Sequence, residues 1–267
     1  MQLAANHARV DVRRSGLILF RSRLCRALVS TVVLVAGTAA CGGGGGSNNG
    51  QPMPVISMSG TAATGQAISN AAVSIVCARG STSTTTDSSG HFAVSFMATT
   101  PCLLTVTSGA TVLHSVAFAG GTFNVTPETE LLLDYVSAQI GTNVAGLIAG
   151  LSSSAAIDQV LGNAGTIENG ETAVIQILNT NDQVVLTTNE FLTQSFSVGQ
   201  AGEDADLETL KTAGAIDSNG MPSPPATTAM TSAGSANPIK SATGISTGGG
   251  GSGGQSGGVG GMGGGMM

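Results

Sequence analysis

Between residues 57 and 126 apolar and polar positions alternate in short runs, broken by clusters of Gly, Ser, Thr and Asp. ISMSGTAAT, AAVSIVCA, GHFAVSFMA, CLLTVTS and TVLHSVAFA each carry the two-residue period of a half-buried strand. Asp87 to Gly90 predicts a tight turn before the third run: an Asp carboxylate bonds to the backbone N–H groups that follow it, and Gly tolerates positive φ. The period changes at Asn124-Val125-Thr126-Pro127-Glu128-Thr129-Glu130. Thr126 suits an N-cap, Pro127 the first helical position and the two Glu the positive end of a helix dipole. LLLDYVSAQI then continues a helix to about Ile140. Asn124-Val125-Thr126 also fits a glycosylation acceptor, although helix entry is the better account of it.

Further along, Val144, Leu147, Ile148, Leu151, Ala155 and, less regularly, Val160 predict a second amphipathic helix. TAVIQILNTNDQVVLTT predicts a β-hairpin turning at Asn179 to Asp182, and FLTQSFSV a further strand. A short helix is expected from Glu203 to about Ala213, with Leu207 and Leu210 inward. From Asp217 the chain is Pro, Ala, Ser, Thr and finally Gly, with too little apolar surface to offset the entropy of ordering. Residues 217–267 are therefore expected to be disordered.

Several strand residues form an ordered set: Gly60; Gly65 with Ala71-Ala72-Val73-Ser74-Ile75; Thr86-Asp87-Ser88-Ser89-Gly90-His91-Phe92; and Leu103-Leu104-Thr105-Val106. This set resembles the carboxypeptidase regulatory-like (transthyretin-like) domain, which reads G-x-V, G-x-x-L-x-x-A-x-V, a T-D-x-x-G-x-F hairpin and a Y-x-L-x-V strand. The resemblance departs at Cys102, where the family carries an aromatic residue, and at Ala62, where it carries Val. It implies a small Greek-key β-sandwich that serves as a structural or recognition module, with no catalytic residues to carry over. The expected fold is thus mainly β, a sandwich over 57–126 followed by a small helical and mixed α+β region over 127–216, with disordered flanks.

The N-terminal segment bears on location. Arg9, Arg13, Arg14, Arg21, Arg23 and Arg26 precede ALVSTVVLVAGTAA, an uncharged run from Ala27 to Ala40. A basic region followed by an apolar run ending in small residues has the composition of a secretory signal peptide. The run is shorter than the roughly 20 residues a membrane-spanning helix needs. Thr38-Ala39-Ala40-Cys41 resembles the lipobox of bacterial lipoproteins, departing at Thr38 where Leu is usual. That resemblance implies removal of residues 1–40 and acylation of Cys41. Two alternatives stand beside it: an ordinary secretory signal that leaves Cys41 a free thiol, and an uncleaved anchor.

Two or three acyl chains hold a protein on a membrane durably where one does not. Residues 41–56, rich in Gly, then read as a flexible tether with a root-mean-square reach of roughly 20–25 Å. Gly42 after the cysteine resembles lipoproteins sent to the outer membrane. The whole chain from Cys41 through NVTPETELLL is similar to bacterial lipoproteins in which such a sandwich precedes a small helical and mixed region.

Without residues 1–40 the chain keeps three basic residues (Arg79, Lys211, Lys240) against 14 acidic ones, a net charge of −11. That balance disfavours nucleic acid, whose binding rests on Lys and Arg neutralising phosphates, and direct docking on anionic lipid. Membrane attachment is therefore expected through the N-terminal lipid. Cys77 and Cys102 remain as a pair in a compartment that favours disulfides. Val73, Ile75 and Cys77 share one strand face, as do Cys102, Leu104 and Val106, so both thiols can enter one core. The expectation is a disulfide, and the alternative is two buried free thiols.

Candidate chemistry is sparse. Gly258 to Gly263 fits GxGxxG, and Gly250 to Gly254 and Gly254 to Gly258 fit GxSxG, but none has the strand and helix context those motifs need. His114 reads as a packed strand histidine and His91 as an exposed residue beside a turn. No paired Cys/His spacing supports zinc. Glu203, Asp204, Asp206 and Glu208 form the one dense acidic cluster, which reads as a solvated helix start rather than a calcium loop. Met262, Met266 and Met267 are soft ligands set in glycine and read as incidental. No cofactor or metal is expected.

The sequence therefore points to a non-catalytic envelope lipoprotein, of the outer-membrane kind by its Gly42, whose sandwich serves a structural role or docks a protein partner. The alternative is a carbohydrate-binding or adhesion module. It is disfavoured because sugar faces stack on exposed aromatic rings, and the mature chain offers six Phe, no Trp and only Tyr135. An enzyme lacks a credible nucleophile, base or metal set.

Overall fold

The computed structural model describes residues 52–240. Its strands are β1 Val55–Thr61, β2 Ala72–Arg79, β3 Ser81–Thr85, β4 His91–Met97, β5 Thr99–Ser108, β6 Thr111–Ala117 and β7 Gly121–Thr122. They form a three-stranded sheet in the order β4-β1-β7 and a four-stranded sheet in the order β3-β2-β5-β6. Every pairing is antiparallel except β1 with β7. The five strands expected from alternation are present. β3 and β7 are additional: STSTT has no apolar residue to alternate with its hydroxyls, and β7 is two residues long.

Both sheets contribute to one continuous core. Val73, Ile75 and Cys77 of β2 lie opposite Val106, Leu104 and Cys102 of β5, all buried. The two cysteines are joined as a disulfide across this pair, which removes the free-thiol alternative. At the turn before β4, Asp87 Oδ1 accepts hydrogen bonds from the N–H groups of His91 at 3.0 Å and Ser89 at 2.8 Å. These two donors, His91 first, hold the Asp87 carboxyl below its ordinary range. Gly90 adopts φ +82°, and a Cβ there would lie 2.5 Å from the Ala62 carbonyl oxygen.

Among the described residues six helices follow: α1 Pro127–Gln139, α2 Val144–Gly150, α3 Ala155–Leu161, α4 Ala164–Asp182, α5 Glu203–Ala213 and α6 Pro224–Ala236. With about 37% helix and 28% strand among the described residues, the fold is α+β rather than mainly β. Among the described residues no single helix is long and apolar enough to cross a membrane. α1 and α5 occupy the expected spans, and Leu207 and Leu210 point inward as expected, fully buried. The single helix expected over 144–160 is two, separated at Leu151–Ser154, where the Ser154 hydroxyl accepts from Ile157 N–H to begin α3.

Three expectations are corrected. The first arm of the expected hairpin lies inside α4, where Ile167, Glu171, Val174 and Leu178 form the buried stripe of a helix. Its second arm, Val184 to Thr188, keeps the alternating burial of a strand but has no strand partner, and FLTQSFSV is turn and coil. The disorder expected from residue 217 does not begin there: α6 packs on α1 and buries Ala226, Met230 and Gly234. Ser223 caps α6 by accepting from Ala226 N–H, and Pro224 opens its first turn. Residues 241–267, also expected to be disordered, lie outside the described residues, as do the signal segment and most of the tether.

α1 is the central element. Leu131, Leu132, Leu133 and Val136 are all fully buried, because β6, α2, α4 and α6 surround it. Its first turn also closes the free edge of β6, the last strand of its sheet. The His114 N–H donates to Glu130 Oε2 at 2.6 Å, and the Thr129 hydroxyl donates to the His114 carbonyl at 2.8 Å. Two side chains thus satisfy the backbone groups a fifth strand would have taken. The His114 ring, with Nδ1 2.9 Å from the same carboxylate oxygen, is a packed strand histidine.

Candidate functional site

Residues 183–202, between α4 and α5, form a strap with no regular structure of its own, and side chains from α4, α5 and the segment ahead of α1 hold it. Asp206 of α5 supplies the ladder bonds that a neighbouring strand would supply to Val184–Thr188. Its carboxylate accepts from Thr187 N–H at 2.8 Å, the Thr187 hydroxyl at 3.0 Å and Thr188 N–H at 3.2 Å. Glu171 of α4 accepts from Leu192 N–H at 2.9 Å, and Asp204 accepts from Gly199 N–H at 2.8 Å. Asn124, just ahead of α1, accepts from Thr61 N–H at 3.2 Å and donates to the carbonyls of Phe191 at 2.9 Å and Gln194 at 2.7 Å. With its amide buried and fully engaged, Asn124 has no free nitrogen for a glycan.

Around these fastenings lies a buried group of five carboxylates: Glu128, Glu171, Glu203, Asp204 and Asp206. Glu128 is the second residue of α1, behind the extended Thr126 and Pro127. Glu203, Asp204 and Asp206 fall in the first turn of α5, entered through Gly202 with no side-chain cap. Seven buried side-chain oxygens among the described residues have no hydrogen-bond partner. Six of them lie at the entries to α1 and α5: both oxygens of Glu128, both of Glu203, Asp204 Oδ1 and Thr126 Oγ1. Such a concentration needs a physical remedy, because an unpaired charge in a dry interior is among the costliest arrangements a fold can contain.

Burial displaces three of these carboxyls, Glu128, Glu203 and Glu171, toward the neutral form. Burial first, and then the Asp206 charge, push Glu128 up to about 8, opposed by its own backbone N–H and the nearby Thr126 hydroxyl. Burial also raises Glu203, to about 10, followed by the charges of Glu128, Asp206, Glu171 and Asp204. Glu171 rises to about 7 through burial and the charges of Glu190 and Glu168, with the Leu192 N–H holding it down. The helix N-termini that carry Glu128 and the α5 acids contribute favourable partial positive charge, too little to offset the burial.

No three His, Cys, Asp or Glu side chains among the described residues converge as metal ligands. Four surface depressions among the described residues are lined neither by Glu128 nor by Glu203, Asp204 or Asp206. Of the five, Glu171, Asp204 and Asp206 bond to the strap. One open groove, lined by Arg79, Thr100, Pro101, Ser152, Asp158 and Gln159, pairs a single cation with a single carboxylate. Asp158 already accepts from Ser152 N–H at 3.2 Å.

The acidic run of α5 is thus a further correction to expectation. Glu203, Asp204 and Asp206 are buried rather than solvated, and only Glu208 faces outward, 3.8 Å from Lys211. No linear spacing joins positions 128, 171 and 203. The one local signal is Glu171, which interrupts an otherwise apolar helical stripe. His91, expected to be exposed, is half-buried with Nδ1 2.9 Å from the Thr61 hydroxyl. Cys41, the Met residues of the tail and the GxGxxG and GxSxG matches lie outside the described residues.

Of the six Phe in the mature chain, Phe92, Phe123 and Phe191 are buried, and Phe96, Phe118 and Phe196 are half-buried against the core. Tyr135 is buried as well. No protein-family model matches the chain, and no curated protein or solved structure matches it either.

Proposed function

We propose that this chain is a non-catalytic envelope lipoprotein, anchored through acylated Cys41 to the outer membrane and held clear of it by the tether over 41–56. On this reading its two sheets form a Greek-key sandwich of the carboxypeptidase regulatory-like type, and its surface docks a protein partner. Thr38-Ala39-Ala40-Cys41, placed after a basic segment and an uncharged run, carries the reading. The Cys77–Cys102 disulfide supports an oxidising compartment. The packing of all six Phe favours a protein partner over a glycan, since stacking on sugar needs exposed rings.

The test is metabolic labelling with an alkyne fatty acid in a bacterial host, followed by mass analysis of the mature N-terminus and crosslinking in intact cells. The expected product begins at Cys41 and carries acyl chains; Cys41→Ser remains unlabelled, leaves the membrane fraction and loses a discrete protein adduct. An N-terminus elsewhere, or an unacylated Cys41, refutes the anchor. Glycan or peptidoglycan fragments as the only adducts refute the protein-docking role in favour of the carbohydrate module.

A further inference from the structure

We propose that Glu128 and Glu203 are held as neutral carboxylic acids in the folded chain, and that their ionisation is the release step of a latch that fastens the 183–202 strap. The geometry is the argument. Both side chains are buried, at 0% and 2% exposure; neither carboxylate oxygen of Glu203 has a partner, and those of Glu128 have none beyond the Thr126 hydroxyl and the backbone N–H of its own turn. Every charged group acting on Glu203 is acidic: Glu128 from α1, Glu171 from α4, and Asp204 and Asp206 from its own helix. Asp206 acts on Glu128 in the same sense, and Glu128 and Glu203 act on each other. Without a base or a convergent ligand set, protons are the remaining means of neutralising the two acids.

The strap depends on the same turn of helix. Asp204 and Asp206, which hold Gly199, Thr187 and Thr188, follow Glu203 in the first turn of α5, and Glu171, which holds Leu192, acts on Glu203 through its charge. Charging Glu203 sets it against both Asp206 and Glu128, so the turn that carries the fastenings is driven outward and the strap opens with it. As a neutral acid, each Glu can donate a hydrogen bond as well as accept one.

The direction of the pH response follows from linkage. A carboxyl raised in the folded state binds its proton more tightly there than in the unfolded chain. The stability is fully present below the ordinary value of 4.5 and is lost as pH rises through about 8 for Glu128 and about 10 for Glu203. The latch is therefore closed in acid and weakens toward alkaline pH, opposite to the usual acid denaturation of proteins held by carboxylate pairs.

Infrared spectroscopy of the full chain in detergent micelles tests the first half. The carbonyl band of a protonated carboxylic acid is expected at pH 6.5, where exposed carboxylates are ionised, and it should shrink in Glu203→Gln and in Glu128→Gln. Hydrogen exchange at the Thr187, Thr188, Leu192 and Gly199 amides, corrected for intrinsic rate, tests the second. Strap opening should rise by up to about tenfold per pH unit for each proton released, with a shallower slope in either Gln variant. Absence of the acid band from the folded wild type, or pH-independent strap exchange, overturns the proposal. So does closure of the strap at pH 8 by calcium chloride that EDTA reverses, which would mean that a cation fills the gap instead. Because Glu171 and Asp134 also keep part of their protons at pH 6.5, the band must persist at pH 8.5, where Glu203 above all stays protonated; its loss there in the folded wild type overturns the proposal even if a variant fails to fold.

Discussion

Gly234 offers the sharpest test of whether the segment after residue 217 belongs to the fold. It lies in α6 where that helix crosses α1, and a Cβ built on it would stand 2.3 Å from the Tyr135 carbonyl oxygen and 2.9 Å from Ala138 Cβ. Gly234→Ala therefore forces the two helices apart. Overpacking of this kind costs about 1–3 kcal/mol, while replacing Gly with Ala inside a helix returns about 1 kcal/mol. The net expectation is a loss of up to about 2 kcal/mol. If α6 undocks completely, the loss includes burial of the Met230 side chain, worth about 1.5–3 kcal/mol. Gly165 in α4 is the matched control: it is exposed, and a Cβ there meets only Asn163 Oδ1 at 3.5 Å. Gly165→Ala should stabilise by a few tenths of a kcal/mol to about 1 kcal/mol. The assay is urea unfolding, read as a shift in midpoint at unchanged slope for both variants. If Gly234→Ala raises the midpoint as Gly165→Ala does, α6 is not packed on α1 and the reasoning fails.

Other substitutions probe the remaining fastenings. Replacing Cys77 and Cys102 together by Ser opens a loop with a sequence separation of 25 and should cost about 3.5 kcal/mol on the chain-entropy estimate, read as a lower urea midpoint equal to that of the reduced wild type. Asp206→Ala strands the Thr187 and Thr188 N–H groups; a cost of about 1–3 kcal/mol is expected, with faster hydrogen exchange at those two amides and little change in the sheet amides of β2 and β5. Equal acceleration throughout the sheets would show that Asp206 supports the whole fold rather than the strap.

What could be read from the sequence follows physical range. Alternation is a local property, so the five apolar strands, the Asp87 turn and the pairing face of Cys77 and Cys102 were all legible. So was the entry to α1, where Thr126, Pro127 and Glu128 act on backbone within one turn of themselves. Val174, Ile175 and Ile177 favour strand by their branched side chains, but the spacing of Ile167, Val174 and Leu178 is helical, and packing against α1 wins. Val184 to Thr188 shows the opposite case: its period is that of a strand, and its backbone finds a carboxylate where a strand was expected. In α6 the signal lay in Ala226, Met230 and Gly234 at intervals of four, small enough for close approach to α1 yet too polar in their surroundings to suggest a buried face. The carboxyl group was beyond local reasoning, since its members come from three helices and meet only when α1, α4 and α5 pack.

The closed edge of β6 gives the four-stranded sheet a sidedness. At one end Thr129 and Glu130 occupy the N–H and C=O of His114, so no incoming strand can extend the ladder there. At the other end stands β3, built of Ser and Thr alone, with no charge or proline to repel a neighbour. Strand-to-strand joining of two copies through this sheet can use only the β3 side, and each copy brings one such side. Association by that route ends at a closed pair and cannot propagate into a fibre.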